Sequence, residues 1–182
     1  MTSERRKAVL ADLNHRLMLT ANGAAKAIAA DNDPALLPGL VRTLRCGRRT
    51  HNRVEAAYAL SFMAGTKGTA VLESALSNKS ENTKVRAFAA ETLAHRHRRG
   101  SHGVLLRNLQ DPSCEVRFWC AFALGQMREK KALPALRCLA ESDHRILPGW
   151  WAVSKEAKDA IAEIERPTRR GSRRCTFCPY RE

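Results

Sequence analysis

Two cysteines near the end of the sequence, Cys175 and Cys178, are spaced to bind a metal. Cysteines three positions apart can supply half of a tetrahedral zinc site, which needs four ligands. The other two ligands would come from a second chain or from a partner. A redox role is weaker, because Pro179 follows and no helix start lowers a thiol pKa. Two alternatives stay open here: zinc as the single cofactor, or a disordered basic tail without metal.

A second group of metal-binding residue types is the histidine cluster at 95, 97 and 102. Arginines interleave these histidines, and their charge opposes a bound cation. The sequence also has no glycine-rich phosphate loop, no Gly-x-Ser-x-Gly elbow and no compact Ser, His and Asp arrangement. It therefore predicts no catalytic residues. Cys120 and Cys138 stand where small apolar residues are expected, which predicts inert buried thiols.

Basic residues are the most abundant chemical signal, with 32 Lys and Arg against 18 Asp and Glu and a formal net charge of +14. Clusters of this kind bind phosphates without sequence preference, but they also occur as solvated loops that only maintain solubility. The candidate polyanion-binding residues are Arg48, Arg49, Arg96, Arg98, Arg99, Lys130, Lys131, Arg169, Arg170, Arg173 and Arg174.

Composition limits the class of protein. A hydrophobic fraction of 44% and a charged fraction of 27% are typical of a globular chain. No apolar stretch is long enough to predict a membrane span. The apolar stretch near the N-terminus is interrupted by Asp12 and Asn14, so we expect no secretory signal and a cytoplasmic location. The six cysteines are therefore not expected to form disulfides.

A repeat organises the elements that position these residues. Residues 52–60, 85–93 and 116–124 superimpose, with fainter copies at 24–28 and 153–161. Within each copy the small or apolar residues fall at i, i+4, i+5 and i+8, which is one face of a helix. A leucine-rich helix precedes each copy, so the repeating unit is predicted to be a helical hairpin.

Five such hairpins predict an all-α, right-handed α-solenoid (an alpha-alpha superhelix). The predicted repeat domain covers residues 3–166, and residues 167–182 form the basic tail. The predicted hairpins are approximately 3–31, 34–63, 67–95, 101–127 and 130–165. The last helix carries charged residues, including Lys155, Glu156 and Asp159, on its outward face, which is typical of a solenoid cap. Trp150 and Trp151 are predicted to cover the final core.

The repeat sequence resembles HEAT repeats, in particular the bacterial subclass found in bilin-lyase subunits. The resemblance rests on Leu-Pro-x-Leu, a following Asp, and Val-Arg-x-x-Ala-Ala-x-Ala-Leu-Gly, with the best match at 106–125. It implies structural roles for Arg53, Arg86, Asp111 and Arg117. The sequence departs from the pattern where Gly47 and Ser80 occupy the Asp position.

The resemblance says less about function, because the same solenoid hosts scaffolds, lyase subunits and enzymes. The di-iron hydroxylases of this fold use His-Glu pairs, and none of the six histidines here is followed by Glu. DNA glycosylases of this fold use concave aromatics with a carboxylate, for which Trp119 and Glu91 are a superficial parallel.

Outward positions of the repeat carry aromatic and acidic side chains toward the concave face implied by the resemblance. The candidate partner-binding residues are Glu55, Tyr58, Phe88, Glu91, Phe118, Trp119 and Phe122. If these side chains are exposed, they would bind a peptide or helix of positive charge. If the solenoid curves tightly, the rings would instead be buried between consecutive helices. The sequence favours a non-enzymatic protein-binding scaffold. The alternatives are nucleic-acid binding through the basic loops and tail, or a lyase-type or chaperone-like accessory subunit.

Overall fold

The structure, a computed structural model, describes residues 1–62, 66–95 and 99–167. Over these ranges the regular elements are helices, and one isolated antiparallel bridge joins Ile146 to Ala152. The α-helices are α1 Ser3–Leu13, α2 Met18–Asp31, α3 Leu37–Cys46, α4 Thr50–Phe62, α5 Thr66–Ser77, α6 Thr83–His95, α7 His102–Asn108, α8 Cys114–Gln126, α9 Leu133–Ser142 and α10 Val153–Glu165. Short 3₁₀ turns precede α3, α7 and α9.

The helices pair in sequence order into antiparallel hairpins that stack into two layers. The even-numbered helices pack closely along one another, α2 on α4, α4 on α6, α6 on α8 and α8 on α10. The odd-numbered helices touch each other less and form the outer layer. Because its helices pack most closely on one another, we call the even-numbered layer the inner layer. The predicted all-α solenoid is confirmed.

Helix starts follow local sequence signals. Pro38 and Pro134 lie in the first turns of α3 and α9, where a missing N–H leaves no hydrogen bond unmade. Asp33 and Glu129 precede the 3₁₀ turns that lead into those helices. Each carboxylate accepts a hydrogen bond of 3.0 Å from a backbone N–H two residues later, which caps the turn.

Small side chains allow the inner helices to pack tightly. The paired alanines of the repeat, such as Ala56, Ala57, Ala89 and Ala90, are completely buried. Gly125 marks the closest approach of α8 and α10. A Cβ atom there would lie 2.8 Å from the Cα and Cβ atoms of Ala160, closer than real carbon contacts. The last hairpin can therefore dock only because position 125 has no side chain.

Buried arginines connect successive hairpins. Arg117 of α8 donates from Nε and Nη2 to Asp143 beyond α9, at 2.7 and 2.6 Å. Arg86 of α6 makes a short hydrogen bond to Asp111 beyond α7. Arg117 also donates to the Asp111 carbonyl at 2.5 Å, which fixes the loop of its own hairpin. In the structure these side chains therefore connect one hairpin to the next.

Glu81 takes the place of the aspartate that the repeat pattern expects at position 80. The sequence places Ser80 where the pattern has Asp, but Arg53 of α4 pairs with the neighbouring Glu81 at 3.0 Å. Arg53 also donates to the Gly47 carbonyl at 3.2 Å, the other position without an Asp. The longer Glu side chain reaches Arg53 from one position further along the loop. Arg53 therefore makes both a carboxylate contact and a carbonyl contact, although Gly47 and Ser80 occupy the Asp positions.

None of the helices in the described ranges is long and apolar enough to cross a membrane.

Neutralising Asp143 tests the arginine contacts. The Asp143→Asn variant should lose about 3 kcal/mol of unfolding free energy, because Arg117 stays buried without a counter-charge. Although burial alone would raise its pKa, hydrogen bonds from Arg117 and Arg145 hold the pKa of Asp143 below the usual value. This stabilisation is therefore complete above the unfolded-state pKa and is lost as pH falls through the folded-state value.

The matched control is Asp159→Asn, which removes an exposed carboxylate paired with Lys155 and should cost less than about 0.5 kcal/mol. Urea denaturation of both variants gives the two values. Equal losses in the two variants would show that the buried Arg117–Asp143 pair stabilises the fold no more than an exposed ion pair does.

Candidate functional site

A cleft of about 530 Å³ lies on the inner layer at the last three hairpins. It is bounded by α6, α8, α10 and the turn that precedes α10, and we call it the acidic cleft. The residues that line it are Glu91, Phe118, Trp119, Phe122, Gly125, Gln126, Trp150, Trp151, Lys155, Glu156, Asp159, Ala160, Ala162, Glu163 and Arg166. The chain has three tryptophans, and all of them line this cleft.

One wall of the acidic cleft is a cluster of interlocking aromatic rings. Trp119 packs edge-on against Phe122, with ring centroids 5.6 Å apart, and against Trp150 at 5.1 Å. Trp150 contacts Trp151 at 5.5 Å. Edge-to-face pairs of this kind add stability beyond the area they bury. Trp150 nevertheless keeps 37% of its surface exposed, so the wall offers an accessible ring to a ligand.

A tight turn places the two tryptophans of this wall. The Trp150 N–H donates to the Leu147 carbonyl at 2.9 Å, with Pro148 and Gly149 at the turn's centre. Gly149 has a φ of 81°, which a type II turn requires at this position and which glycine adopts without strain. The Ile146–Ala152 bridge closes the base of the turn. The Leu-Pro-Gly-Trp sequence thus directs Trp150 and Trp151 onto the end of the solenoid.

Two buried carboxyl groups form the acidic part of the cleft. Glu91 of α6 is 8% exposed, and Glu156 of α10 is 4% exposed. Burial raises the pKa of Glu91 to about 7. Burial likewise raises the pKa of Glu156 to about 7, although its hydrogen bond from Trp151 Nε1, at 2.8 Å, opposes the shift. The cleft therefore holds two groups that ionise near neutral pH.

The two cations of the lining already have partners on α10. Lys155 pairs with Asp159 at 2.6 Å and places Nζ 4.9 Å from the centre of the Trp151 ring. Arg166 pairs with Glu163 at 2.9 Å. Four carboxyl groups and two cations thus line the cleft, which is acidic on a chain of strongly basic composition. The Lys155 contact also shows that this aromatic wall accepts a cation.

The outward register predicted for Phe118 is wrong. Phe118 is 1% exposed, because Trp119, Trp150 and Trp151 pack around its ring at centroid distances of 5.2 to 6.0 Å. Only the final hairpin brings such a cover over α8. Trp119 is 8% exposed at the edge of the cleft, and Phe122 is half-buried there. Of the predicted partner-binding residues, the structure brings these three and Glu91 together.

The other three predicted partner-binding residues lie further along the inner layer. Glu55 is half-buried and accepts hydrogen bonds from Asn22 Nδ2 at 3.1 Å with both oxygens. Burial raises the pKa of Glu55, while the bond from Asn22 lowers it, and burial dominates. Tyr58 and Phe88 are half-buried and contact each other at 6.4 Å. These rings are therefore partly buried, and they lie outside the cleft lining.

Glu156 is buried, contrary to the outward position predicted for it. The repeat register put it on the outward face of α10 with Lys155 and Asp159, which are exposed as predicted. Glu156 is instead buried by Trp151, its hydrogen-bond partner. The two tryptophans do cover the end of the core, as predicted, but they also form the cleft wall. The register aligns Glu156 with Trp119, but it gives no sign of the turn that carries Trp151 over Glu156.

The candidate polyanion-binding residues are only partly within the described ranges. Arg48 and Arg49 are exposed between α3 and α4, and Lys130 and Lys131 are exposed before α9. Arg99 begins the 3₁₀ turn before α7. Arg96, Arg98 and the tail arginines Arg169, Arg170, Arg173 and Arg174 lie outside the described residues.

The predicted metal ligands Cys175 and Cys178 also lie outside the described residues. Within the ranges that the structure describes, His, Cys, Asp and Glu side chains form no group of three that could hold a metal ion. Cys120 is buried as predicted, and burial raises the pKa of its thiol. The prediction for Cys138 is wrong, because it lies on the solvent face of α9 and is exposed.

The architecture and the arginine contacts define a helical-repeat solenoid with a cleft at its final hairpins. Residues 69–154 match the family of HEAT repeats. This stretch, slightly less than half of the chain, is similar to HEAT repeats, and it lies within the α-solenoid. A search of curated proteins finds no significant match.

Similar solved structures share the fold. The complex of CpcE and CpcF of phycocyanin lyase from Nostoc sp. PCC7120 matches with a TM-score of 0.66 and 19% identity, over 88% of this chain and 65% of that one. The protein thus spans slightly less than two thirds of that lyase chain. Human deoxyhypusine hydroxylase matches with a TM-score of 0.56 and 17% identity, over 90% and 75%. A computationally designed armadillo repeat protein for modular peptide recognition matches with a TM-score of 0.52 and 17% identity, over 85% and 80%.

Stability should depend on pH through the acidic cleft. Because the folded-state pKa of Glu91 and Glu156 is raised, the folded protein holds protons that the unfolded chain has released between about pH 4.5 and 7. Unfolding free energy should therefore fall as pH rises through this window, by up to roughly 3 kcal/mol for each carboxyl group. The Glu91→Gln/Glu156→Gln double variant should lose this decline.

Urea denaturation at pH 5 and pH 8 measures the difference. Glu4→Gln/Glu141→Gln, at two exposed carboxylates outside the cleft, should keep the wild-type decline. An unchanged decline in the cleft variant would mean that these carboxyl groups are not buried as the structure places them.

Proposed function

We propose that this protein is a non-enzymatic scaffold that binds a segment of another protein in the acidic cleft. The observation that carries the proposal is the aromatic wall, where Trp150 remains 37% exposed beside buried carboxyl groups. Exposed aromatic rings in a pocket are the usual anchors of protein interfaces. A cleft of about 530 Å³ fits one or two side chains of a bound segment.

The charge of the cleft favours a polypeptide over a nucleic acid at this site. Four carboxyl groups line it, and those that are ionised repel phosphates, while its two cations are engaged by Asp159 and Glu163. This also argues against a glycosylase role for Glu91 and Trp119, although both do line the cleft. A strongly basic surface would be needed to hold a DNA backbone there.

The similar structures support a protein partner at the level of fold. The designed armadillo repeat protein serves peptide recognition, and the CpcE and CpcF match is itself a complex of two proteins. A lyase-type or chaperone-like accessory role is the finer alternative that this second similarity suggests. The scaffold proposal is preferred because it rests on the exposed wall of this chain's own cleft.

Replacing Trp150 tests the proposal. Peptides would be selected from a random library displayed on phage against the full chain, and their affinities measured by fluorescence anisotropy. Trp150→Ala should weaken binding of the selected peptides about 30-fold, as expected for an aromatic anchor worth roughly 2 kcal/mol.

Ile146→Ala is the matched control, because Ile146 is 71% exposed on the same loop and does not line the cleft. It should leave the affinity unchanged. If no peptide is selected, or if both variants weaken binding equally, the cleft is not the peptide-binding site.

A second candidate function is polyanion binding at the opposite end of the solenoid. A depression of about 320 Å³ between α3 and α4 is lined by Arg42, Arg48 and Arg49 together with Asn14 and Asn52. The three arginines would supply phosphate contacts there. We infer a sequence-independent nucleic-acid contact from this cluster, separate from the acidic cleft.

A salt titration of binding to a short DNA duplex tests this candidate. Arg48→Gln/Arg49→Gln should reduce the slope of log affinity against log salt by about 0.9 for each phosphate that the variant no longer neutralises. The control Arg5→Gln/Arg107→Gln removes two exposed arginines elsewhere and should keep the slope. An affinity that barely changes with salt would exclude phosphate contacts.

A further inference from the structure

Glu91 is the carboxyl group of the acidic cleft that has neither an ion-pair nor a hydrogen-bond partner among the described residues. It is more than nine-tenths buried and lines the cleft. Among the described residues, no hydrogen-bond donor or cation pairs with its carboxylate, and burial is the one cause of its raised pKa. Ionising an unpaired buried carboxylate costs several kilocalories per mole, so a cation entering the cleft would relieve that cost.

The surroundings of Glu91 favour a guanidinium group. Arginine combines a planar cation that pairs with carboxylates and a flat face that stacks on aromatic rings. The cleft offers both, with Glu91 and Glu156 beside the exposed ring of Trp150. The Lys155 ammonium already lies over the neighbouring Trp151 ring, which shows the cation–π part of such binding within the structure.

Long-range charge determines where such an arginine comes from. The chain carries a formal charge of +14, which disfavours the approach of a basic segment from solution. A segment attached to the same chain avoids this penalty, because a short flexible link gives an effective concentration on the order of millimolar.

The chain itself supplies arginines at the right distance. Arg166, at the end of α10, lines the cleft, and Arg169, Arg170, Arg173 and Arg174 follow within eight positions. From Glu156 to Arg166 the helix rises about 15 Å. Seven extended residues beyond Pro167 span up to about 25 Å, enough to return to the level of Glu156.

We propose that the acidic cleft is a binding site for an arginine side chain, and that its occupant is the arginine segment 169–174 of the same chain. This segment then competes with any partner for the cleft described above. The inference concerns the same cleft as the proposed function, but it is tested without a partner, so either can fail alone.

The test compares full-length variants by tryptophan fluorescence, which reports only on the cleft because all three tryptophans line it. The tail variant carries Gln at 169, 170, 173 and 174. Its matched control carries Gln at the exposed residues Arg5, Arg16, Arg45 and Arg107. The tail variant should show stronger acrylamide quenching than the wild type, whereas the control should not.

A peptide of residues 168–174 added in solution serves as the probe. It should bind the tail variant about tenfold more tightly than the wild type, in which the tethered arginines compete. The same peptide with citrulline in place of arginine keeps the shape without the charge and should not bind. Glu91→Gln/Glu156→Gln in the tail-variant background should abolish binding, and Glu4→Gln/Glu141→Gln should preserve it.

Equal quenching and equal peptide affinity in the wild type and the tail variant would overturn the tail as occupant. Binding of the citrulline peptide, or binding that survives Glu91→Gln/Glu156→Gln, would overturn the arginine site itself. Thermal melts followed by circular dichroism verify that each variant is folded. If the double Gln variant fails to fold, Glu156→Gln alone, which keeps the Trp151 hydrogen-bond acceptor, replaces it.

Discussion

The buried contacts from arginine to carboxylate between successive hairpins are the constraint on which this solenoid depends. Packing of alanine and leucine is largely non-directional, and it would allow neighbouring hairpins to slide or rotate. Arg86 and Arg117 each reach into the loop of the next hairpin, where Asp111 and Asp143 accept their hydrogen bonds. Burying such pairs is expensive unless the geometry is good, so only one relative placement of the two hairpins satisfies them.

That placement creates the acidic cleft. Asp143 begins the loop that leads to Trp150 and Trp151, and its carbonyl accepts the Ser154 N–H at 2.7 Å at the start of α10. The contact from Arg117 therefore fixes both the turn and the final helix. The absence of a side chain at Gly125 then lets α10 lie close to α8. These backbone and packing contacts together hold the two tryptophans over α8.

Local sequence patterns predicted the fold because helical hairpins are specified by nearby residues. Apolar spacing, prolines in first turns and the recurring arginines each act within one repeat. The errors lie where one repeat meets another. Phe118 follows the repeat register but is buried by a turn thirty residues later, and Glu81 replaces the expected Asp through a loop two residues longer. The Glu91–Trp119 part of the cleft was predictable from register, whereas the burial of Glu156 required the turn's conformation.

The two kinds of buried carboxylate in this protein contribute oppositely to stability. Asp111 and Asp143 are buried with arginines, and their pKa values are lowered, so ionisation stabilises the fold. Glu91 and Glu156 are buried with raised pKa values, so ionisation destabilises it. Asp111 and Asp143 are thus neutralised by arginines of the preceding hairpins, whereas Glu91 and Glu156 have no arginine partner among the described residues. Ionising these two groups in the cleft therefore costs free energy. Because the chain is basic and disfavours the approach of free cations, a cation held at the cleft by other contacts or by covalent connection would lower this cost most readily.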